Sequence, residues 1–186
     1  QEKVNVTAEV TPHHFSLTDK EIVNYDTNYK MNPPLRSEED RKELIEALKD
    51  GTIDTIVSDH APHTIFEKDK EFNYAPFGII GLETVVPLVF MNLIEPGHLT
   101  LMQAIEKLTK NPAQITKIKD TGIEEGGVAD ITVIDPQLEL VYKKEMIASK
   151  GINSPFIGKK LKGFAVLTVV DGKIVMKRDK NGNPVF

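Results

Sequence analysis

Residues 55–63 read TIVSDHAPH, a β-branched stretch that runs directly into an aspartate, two histidines and a proline. The nearly unbroken apolar run before Ser58 is typical of a parallel strand that is covered on both faces. In α/β barrels, catalytic side chains follow the carboxyl ends of such strands. The stretch therefore predicts a buried strand whose end presents Asp59, His60 and His63 where a reaction site would form.

The sequence before this strand predicts another strand and a helix. VNVTAEV at 4–10 alternates apolar and polar residues, as a half-buried strand does. A helix follows from the N-cap Ser37 to the stop signal Gly51, with Leu44, Ile45 and Leu48 as its apolar stripe.

The sequence after the strand continues the alternation. GIIGLETVVPLVFMNLI at 78–94 is long enough for a helix, which we expect to start late or bend at Pro87. Thr100 and Gln103 form a capping box that opens a further helix, with Leu101 among its inward residues. Strands that alternate with helices in this way predict a parallel sheet with helical crossovers.

The character of the chain changes near residue 118. GVADITVIDP and FAVLTVVDGKIVMKR read as short strands, and Asp171-Gly172 is a strong signal for a two-residue hairpin. We therefore predict two domains, one over residues 1–117 and an all-β one over residues 118–186.

The composition excludes several classes of protein. The chain has 186 residues and a net charge of −5, which argues against a nucleic-acid binder. It has no cysteine, so disulfides and Cys-ligated zinc are excluded, and this suits a reducing cytoplasm. No stretch approaches the ~18 apolar residues of a membrane span. The chain starts without Met and almost at once with a strand pattern, so we expect it to be a piece of a longer protein.

The polar residues leave alternatives open when each is taken alone. Asp59 at a strand end suits a metal ligand and general base, and it equally suits a cap of the next turn. His60 and His63 lack the H-E-x-x-H spacing of a zinc helix, so a structural hydrogen bond is the favoured role for either one. Asn32, before two prolines, is either an ordinary loop residue or a rigid amide that binds a ligand. His13-His14 ends the first strand, where only one of the two rings could face a site.

Taken in order, four segments are more specific than any single residue. AEVTPHH, YKMNPPLR, DGTIDTIVSDHAPH and PFGIIGLET resemble the C-terminal half of bacterial and archaeal type I dihydroorotases, which belong to the amidohydrolase superfamily. NPAQI, GVADITVIDP and VVDGKIV fit the ending of that family. The resemblance covers essentially the whole chain.

The resemblance implies a fold and a reaction. The chain would be the C-terminal part of a (β/α)8 TIM-type barrel, about strands seven and eight with their helices, plus part of a small β-sandwich. The family interconverts N-carbamoyl-L-aspartate and L-dihydroorotate in pyrimidine synthesis at one or two zinc ions.

The resemblance also implies roles for individual residues. Asp59 would bind zinc and act as the general base. Asn32 and His63 would bind substrate, His63 at its carboxylate, and the backbone of Phe77 and Gly78 would meet the ring. His13-His14 falls on a motif that does not bind zinc.

The resemblance also defines what this chain would lack. The other zinc ligands of the family would lie upstream of Gln1, so we expect the chain alone to be inactive and to bind negligible zinc. Its open strand edges would pair with the missing N-terminal half of the barrel or with a second copy of the chain. The alternatives are a related cyclic amidase such as an allantoinase or hydantoinase, and a non-catalytic subunit that scaffolds aspartate transcarbamoylase. His63 and the NPPLR loop favour dihydroorotase, and the retained Asp59 argues against a non-catalytic subunit.

Overall fold

Helices and short strands mix up to residue 116, and antiparallel strands follow from residue 131. The computed structural model describes residues 4, 6–118 and 122–186. Its α-helices are Pro12–Ser16 (α1), Glu38–Asp50 (α2), Ile65–Lys68 (α3), Val85–Val89 (α4), Leu101–Leu108 (α5) and Lys110–Thr116 (α6). Its strands are Glu9–Val10 (β1), Thr55–Ile56 (β2), Ile131–Val141 (β3), Lys160–Val170 (β4), Lys173–Arg178 (β5) and Pro184–Val185 (β6). The chain is α/β, as the sequence predicts.

The strands β1 and β2 run parallel, which brings their carboxyl ends to one edge. Glu9 pairs with Thr55 and Val10 pairs with Ile56. The ladder continues where the Val57 N–H donates to the Val10 carbonyl at 3.0 Å. The connection between the two strands contains α2, so the predicted helical crossover is confirmed.

The first strand is shorter than the sequence predicts. Val4 and Val6 are 76% and 74% exposed, Ala8 is exposed, and Asn5 lies outside the described residues. Of the alternating apolar residues, only Val10 is buried, because it is the one that packs into a core cluster. Alternation makes a strand amphipathic, but burial also requires a surface that packs against each residue.

The predicted helix α2 is confirmed, with both of its ends. Asp40 N donates to the Ser37 hydroxyl at 3.2 Å, and the Asp40 carboxylate accepts from Ser37 N at 3.1 Å. Gly51 follows the last residue in the left-handed conformation. Ile45 and Leu48 are buried, so the apolar stripe faces the core.

The apolar segment 78–94 starts its helix late, as Pro87 predicts. A 3-10 turn at Leu82–Thr84 leads into α4, and Pro87 is the third residue of this helix. The first N–H groups of a helix have no partner within it, so proline removes no hydrogen bond there. The helix then widens into a π-helical turn at Phe90–Ile94.

The capping box of α5 is confirmed, but one of its predicted inward residues is not. Gln103 N donates to the Thr100 hydroxyl at 3.3 Å, and the Gln103 side chain accepts from Thr100 N at 2.8 Å. Ala104 is fully buried, whereas Leu101 is 46% exposed. The prediction for Leu101 is wrong because its position in the first turn lies at the rim of the packed face.

The last strands form an antiparallel sheet in the order β3-β4-β5-β6. Val170 pairs with Lys173 across the turn at Asp171-Gly172, where both residues have positive φ. Positive φ at both central positions is the requirement of a type I′ turn. The predicted hairpin is confirmed.

Two hydrophobic clusters fill the interior. The first lies between α1, α2, α4, α5, β1, β2 and the π-helical turn, and it contains Val10, Phe15, Ile45, Leu48, Ile53, Ile56, Val89, Leu93, Leu99 and Ala104. The second contains Leu17, Met31, Leu35, Ile79, Leu88, Tyr142, Met146, Phe156, Leu161 and Phe164. The second cluster contains residues from before and after residue 118, so the two predicted domains share one of the cores.

Among the described residues, none of the helices has the length and hydropathy of a membrane-spanning segment.

Candidate active site

An open cleft of about 1230 Å³ lies at the carboxyl ends of β1 and β2. Asn32, Asp59, His60 and His14 are among the residues that line it. The parallel pairing of the two strands creates this arrangement, because it brings the loop after each strand to the same edge. Two of the sequence-predicted residues, Asp59 and Asn32, are therefore brought together.

The Asp59 carboxylate is exposed in this cleft and has no partner in the described structure. Its backbone has φ 46°, a left-handed conformation that Asp adopts more readily than most residues. Among residues 4, 6–118 and 122–186, no side chain or backbone group bonds to its oxygens. A carboxylate held in this way is free to bind a cation or to accept a proton.

Asn32 also lines this cleft, and no hydrogen-bond partner of its amide is found among the described residues. It precedes a cis peptide bond to Pro33 and is exposed. The Nε2–H group of His14 donates to the Pro33 carbonyl at 2.8 Å, since a carbonyl can only accept. Thr11 Oγ1 lies 2.6 Å from the other ring nitrogen, so His14 ties the loop that carries Asn32 to the end of β1.

His60 is held by backbone and side-chain partners rather than left free. Its Nδ1 accepts from the N–H groups of Gly81 and Leu82 at 3.1 Å and 3.4 Å. The proton of a neutral ring must then lie on Nε2, which faces the Ser149 hydroxyl at 3.2 Å. Ser149 in turn bonds to the Glu83 carboxylate. His60 therefore has the structural role that the sequence favours for a lone histidine.

His63 is not among the residues that line the Asp59 cleft. It lines a second cleft of about 810 Å³, together with Lys68 and Asn153 among others. Its Nε2 donates to the Phe77 carbonyl at 2.9 Å, because a carbonyl can only accept. Its Nδ1 lies 3.9 Å from the Glu67 carboxylate, where a protonated ring would form an ion pair.

Phe77 and Gly78 lie in a loop that is already bonded to the rest of the chain. The Phe77 side chain is 53% exposed, whereas Gly78 is buried. The Gly78 N–H donates to the Lys30 carbonyl at 2.9 Å. A Cβ at Gly78 would come within 2.6 Å of the Ala61 Cβ, so only glycine allows this close approach.

The two neighbouring histidines that the sequence places at a strand end lie in α1 instead. The Thr11-Pro12 step starts a helix, because proline is well tolerated in the first turn. The His13 ring is 3% exposed and its Nε2 has no partner among the described residues. Burial, together with the neighbouring His14, lowers the pKa of His13 to about 3. His13 is a buried neutral residue rather than a side chain directed at the site.

The described residues do not make a complete metal site. Across the described ranges of the chain, no three side chains of His, Asp or Glu lie close enough together to hold a metal ion. A catalytic zinc ion normally needs three protein ligands. Asp59 suits one position of such a set, and the described residues do not supply the others.

Sequence reasoning missed the residues that hold these loops in place. Asn153 is 4% exposed and bonds to the segments that carry His63 and Gly78. Two buried lysines, Lys30 and Lys68, donate to carbonyls of residues 73–78. The only local signal in the segment GINSP is a polar turn before proline, and this pattern says nothing about distant partners.

The comparisons with known proteins agree with this architecture. A model of the amidohydrolase family matches residues 5–175. A dihydroorotase from Endomicrobium trichonymphae is 51% identical over 94% of the chain and 42% of its own length. A dihydroorotase from Brevibacillus brevis is 56% identical over 92% of the chain and 41% of its own length. The chain thus spans well under half the length of the curated relatives that it matches.

A solved structure supports the fold. An L-hydantoinase (dihydropyrimidinase) from Arthrobacter aurescens superimposes with a TM-score of 0.87 and 29% identity. The match covers 97% of this chain and 40% of that structure. Both the strands at the cleft and the antiparallel sheet therefore belong to an arrangement that occurs in a longer hydrolase.

Proposed function

The chain belongs to the amidohydrolase family, and on this premise we propose that it is the C-terminal portion of a dihydroorotase. The full-length enzyme would interconvert N-carbamoyl-L-aspartate and L-dihydroorotate, a step of pyrimidine synthesis. The observation that carries the proposal is the identity of 51% and 56% to two dihydroorotases over more than nine tenths of the chain. The unpartnered Asp59 carboxylate in an open cleft supports it.

The proposal includes a larger fold. In it, β1 and β2 are the seventh and eighth strands of a (β/α)8 barrel whose other strands lie in the rest of the protein. The sheet β3–β6 is part of a β-sandwich, with the division between the two near residue 118. Active sites of such barrels lie at the carboxyl ends of the strands, where the cleft with Asp59 lies.

Asp59 is the proposed general base and metal ligand. In hydrolysis, a water molecule attacks the ring amide carbonyl, and Asp59 takes its proton and delivers it to the leaving ring nitrogen. A zinc ion, held by Asp59 and by ligands outside this chain, would supply hydroxide at neutral pH. The chain alone is then inactive, because it contributes one ligand.

The proposed substrate contacts come from Asn32, His63 and the Phe77-Gly78 peptide. Asn32 has a free amide in the Asp59 cleft, which suits an amide-like ring. Because Nε2 of His63 donates to Phe77, the ring can offer a second N–H to the substrate carboxylate only when it is protonated. Gly78 contributes by shape, since its N–H is already bonded to Lys30.

A second candidate is a hydantoinase-like cyclic amidase, which the structural match to the L-hydantoinase favours. The two functions differ in the ring that is opened and in the substrate carboxylate. We expect the full-length protein to hydrolyse L-dihydroorotate with a kcat/KM at least about 100-fold above its values for hydantoin and allantoin, because a buried polar contact rejects substrates that lack its partner. Preferential turnover of hydantoin or allantoin would contradict the proposal.

A further inference from the structure

The segment between β3 and β4 reaches back onto the loops that follow the parallel strands. Gly151 packs so closely that a Cβ there would lie 2.9 Å from the Pro62 Cβ and 3.0 Å from the His63 nitrogen. Ser149 bonds to Glu83, and Asn153 lies buried two residues after Gly151. Residues 149–153, which are remote in sequence, therefore pack directly against the loops that carry the proposed substrate contacts.

Asn153 connects these loops through its side chain. Its Oδ1 accepts from the His63 N–H at 2.9 Å. Its Nδ2 donates to the Ala61 carbonyl at 2.9 Å and to the Gly78 carbonyl at 3.2 Å. Its own backbone carbonyl accepts from the Ile80 N–H at 3.0 Å. One buried amide thus joins the loop that follows β2 to the segment 78–80.

The two joined segments carry His63 and Phe77, which contact each other. His63 reaches the Phe77 carbonyl at 2.9 Å, which is possible only while both loops keep their spacing. Ala61 N donates to the Ile79 carbonyl at 2.8 Å, so the segments also pair directly. Lys68 Nζ donates to the same Gly78 carbonyl at 3.1 Å and holds it from the other side.

We propose that Asn153 is a positioning residue for substrate binding, which acts by fixing His63 and the Phe77-Gly78 peptide in one arrangement. This proposal rests on the proposed function. Groups that are held in their binding arrangement before the substrate arrives lower the cost of ordering them, and this preorganisation increases affinity. Asn153 holds the backbone of His63 directly, and it touches no reacting atom.

The test compares Asn153→Ala with Asn111→Ala in the full-length protein. Asn111 is a matched control, because its Nδ2 also donates to a backbone carbonyl, that of Asp54, at 2.8 Å and at the other end of β2. We expect Asn153→Ala to raise KM for L-dihydroorotate about tenfold and to change kcat less than about threefold, because ground-state contacts are lost. Asn111→Ala should leave both within about twofold. Equal effects of the two variants on KM would overturn the proposal.

A double-mutant cycle separates positioning from a general loss of structure. If Asn153 acts through His63, then Asn153→Ala in a His63→Ala background should raise KM by less than about twofold. If the rise in KM of the double mutant equals the product of the rises in the two single mutants, Asn153 acts independently of His63. That result would overturn the proposal.

Hydrogen exchange keeps the proposal testable without catalysis. In Asn153→Ala, the amides of residues 60–66 and 77–81 should exchange faster, and those of residues 52–57 should be unchanged. In Asn111→Ala, the amides of residues 52–57 should exchange faster, and those of the other two ranges should be unchanged. Unchanged exchange at 60–66 would overturn the proposal.

Absence of dihydroorotase activity in the unmutated protein would instead refute the proposed function. If Asn153→Ala does not fold, Gly151→Ala tests the same contact, since its methyl would lie 2.7 Å from Asn153 Oδ1.

Discussion

At the scale of single residues, the buried ring of His13 makes the stability of the chain depend on pH. The pKa of His13 is lowered from 6.5 to about 3, so the unfolded chain binds a proton that the folded chain excludes between these values. Stability is therefore lost as the pH falls from 6.5 towards 3, by up to about 4 kcal/mol from this group.

The variant His13→Phe removes this dependence. Carboxylates also titrate in this range, so the quantity to measure is the difference in the free energy of unfolding between the chain and the variant. We expect urea denaturation to give a difference that shifts in favour of the variant between pH 7 and pH 4. The control His98→Gln changes a loop histidine. A difference that does not vary with pH would contradict burial of a neutral His13.

Residue-level prediction succeeded where the signal was local. The apolar run before Asp59 places this residue at the end of a strand, and the structure has it there in an open cleft; its role as base and metal ligand stays a prediction. Asn153 could not be predicted, because its partner His63 is 90 residues away along the chain. The strand assigned to His13 was wrong because Thr11-Pro12 also starts helices.

At the scale of elements, Gly163 decides how closely β4 packs against the π-helical turn Phe90–Ile94. Its φ is 83°, and a Cβ there would lie 2.7 Å from the Phe90 Cβ. Gly172, in the hairpin between β4 and β5, has φ 73° and open space around it. The two glycines share a conformation and differ in packing.

The variants Gly163→Ala and Gly172→Ala separate these two effects. Gly172→Ala should cost about 1 kcal/mol, from the left-handed conformation alone. Gly163→Ala should cost a further 1–3 kcal/mol or so, because the methyl group overpacks a fixed ring. Urea denaturation gives both values. Equal losses of free energy would show that β4 can move away from Phe90.

Helix ends were predicted better than strand lengths. The caps Ser37 and Thr100 act within one turn, so the sequence specifies them locally. The sequence predicts a strand over residues 4–10, whereas the observed strand is Glu9–Val10, because the length of a strand depends on the elements that pack against it. Pro87 predicted the late start of α4 for the same local reason as the caps.

At the scale of the whole molecule, the two predicted domains are joined by packing. Tyr142, Phe156 and Phe164 lie in the same cluster as Leu17 and Met31, from before residue 118. The segment with Asn153 adds hydrogen bonds between the same two parts. A boundary at 117/118 marks a change of secondary structure, and the core continues across it.

The proposed enzyme needs more than this chain provides. The parallel sheet of the described residues has the order β1-β2, and the relatives are more than twice as long as the chain. Under the proposal, the remaining barrel strands and zinc ligands lie in that additional length. The isolated chain should then show neither dihydroorotase turnover nor tight zinc binding.

The most direct measurement is L-dihydroorotate turnover and bound zinc in the full-length protein, with and without Asp59→Asn. Asparagine tolerates the left-handed backbone of Asp59, so the change removes mainly the negative charge. Asp171→Asn is the control, because Asp171 has φ 48° in the turn between β4 and β5 and is not among the residues that line the Asp59 cleft. We predict a loss of about a thousandfold or more in kcat and reduced zinc content for Asp59→Asn alone. Unchanged turnover and zinc content in Asp59→Asn would contradict the account.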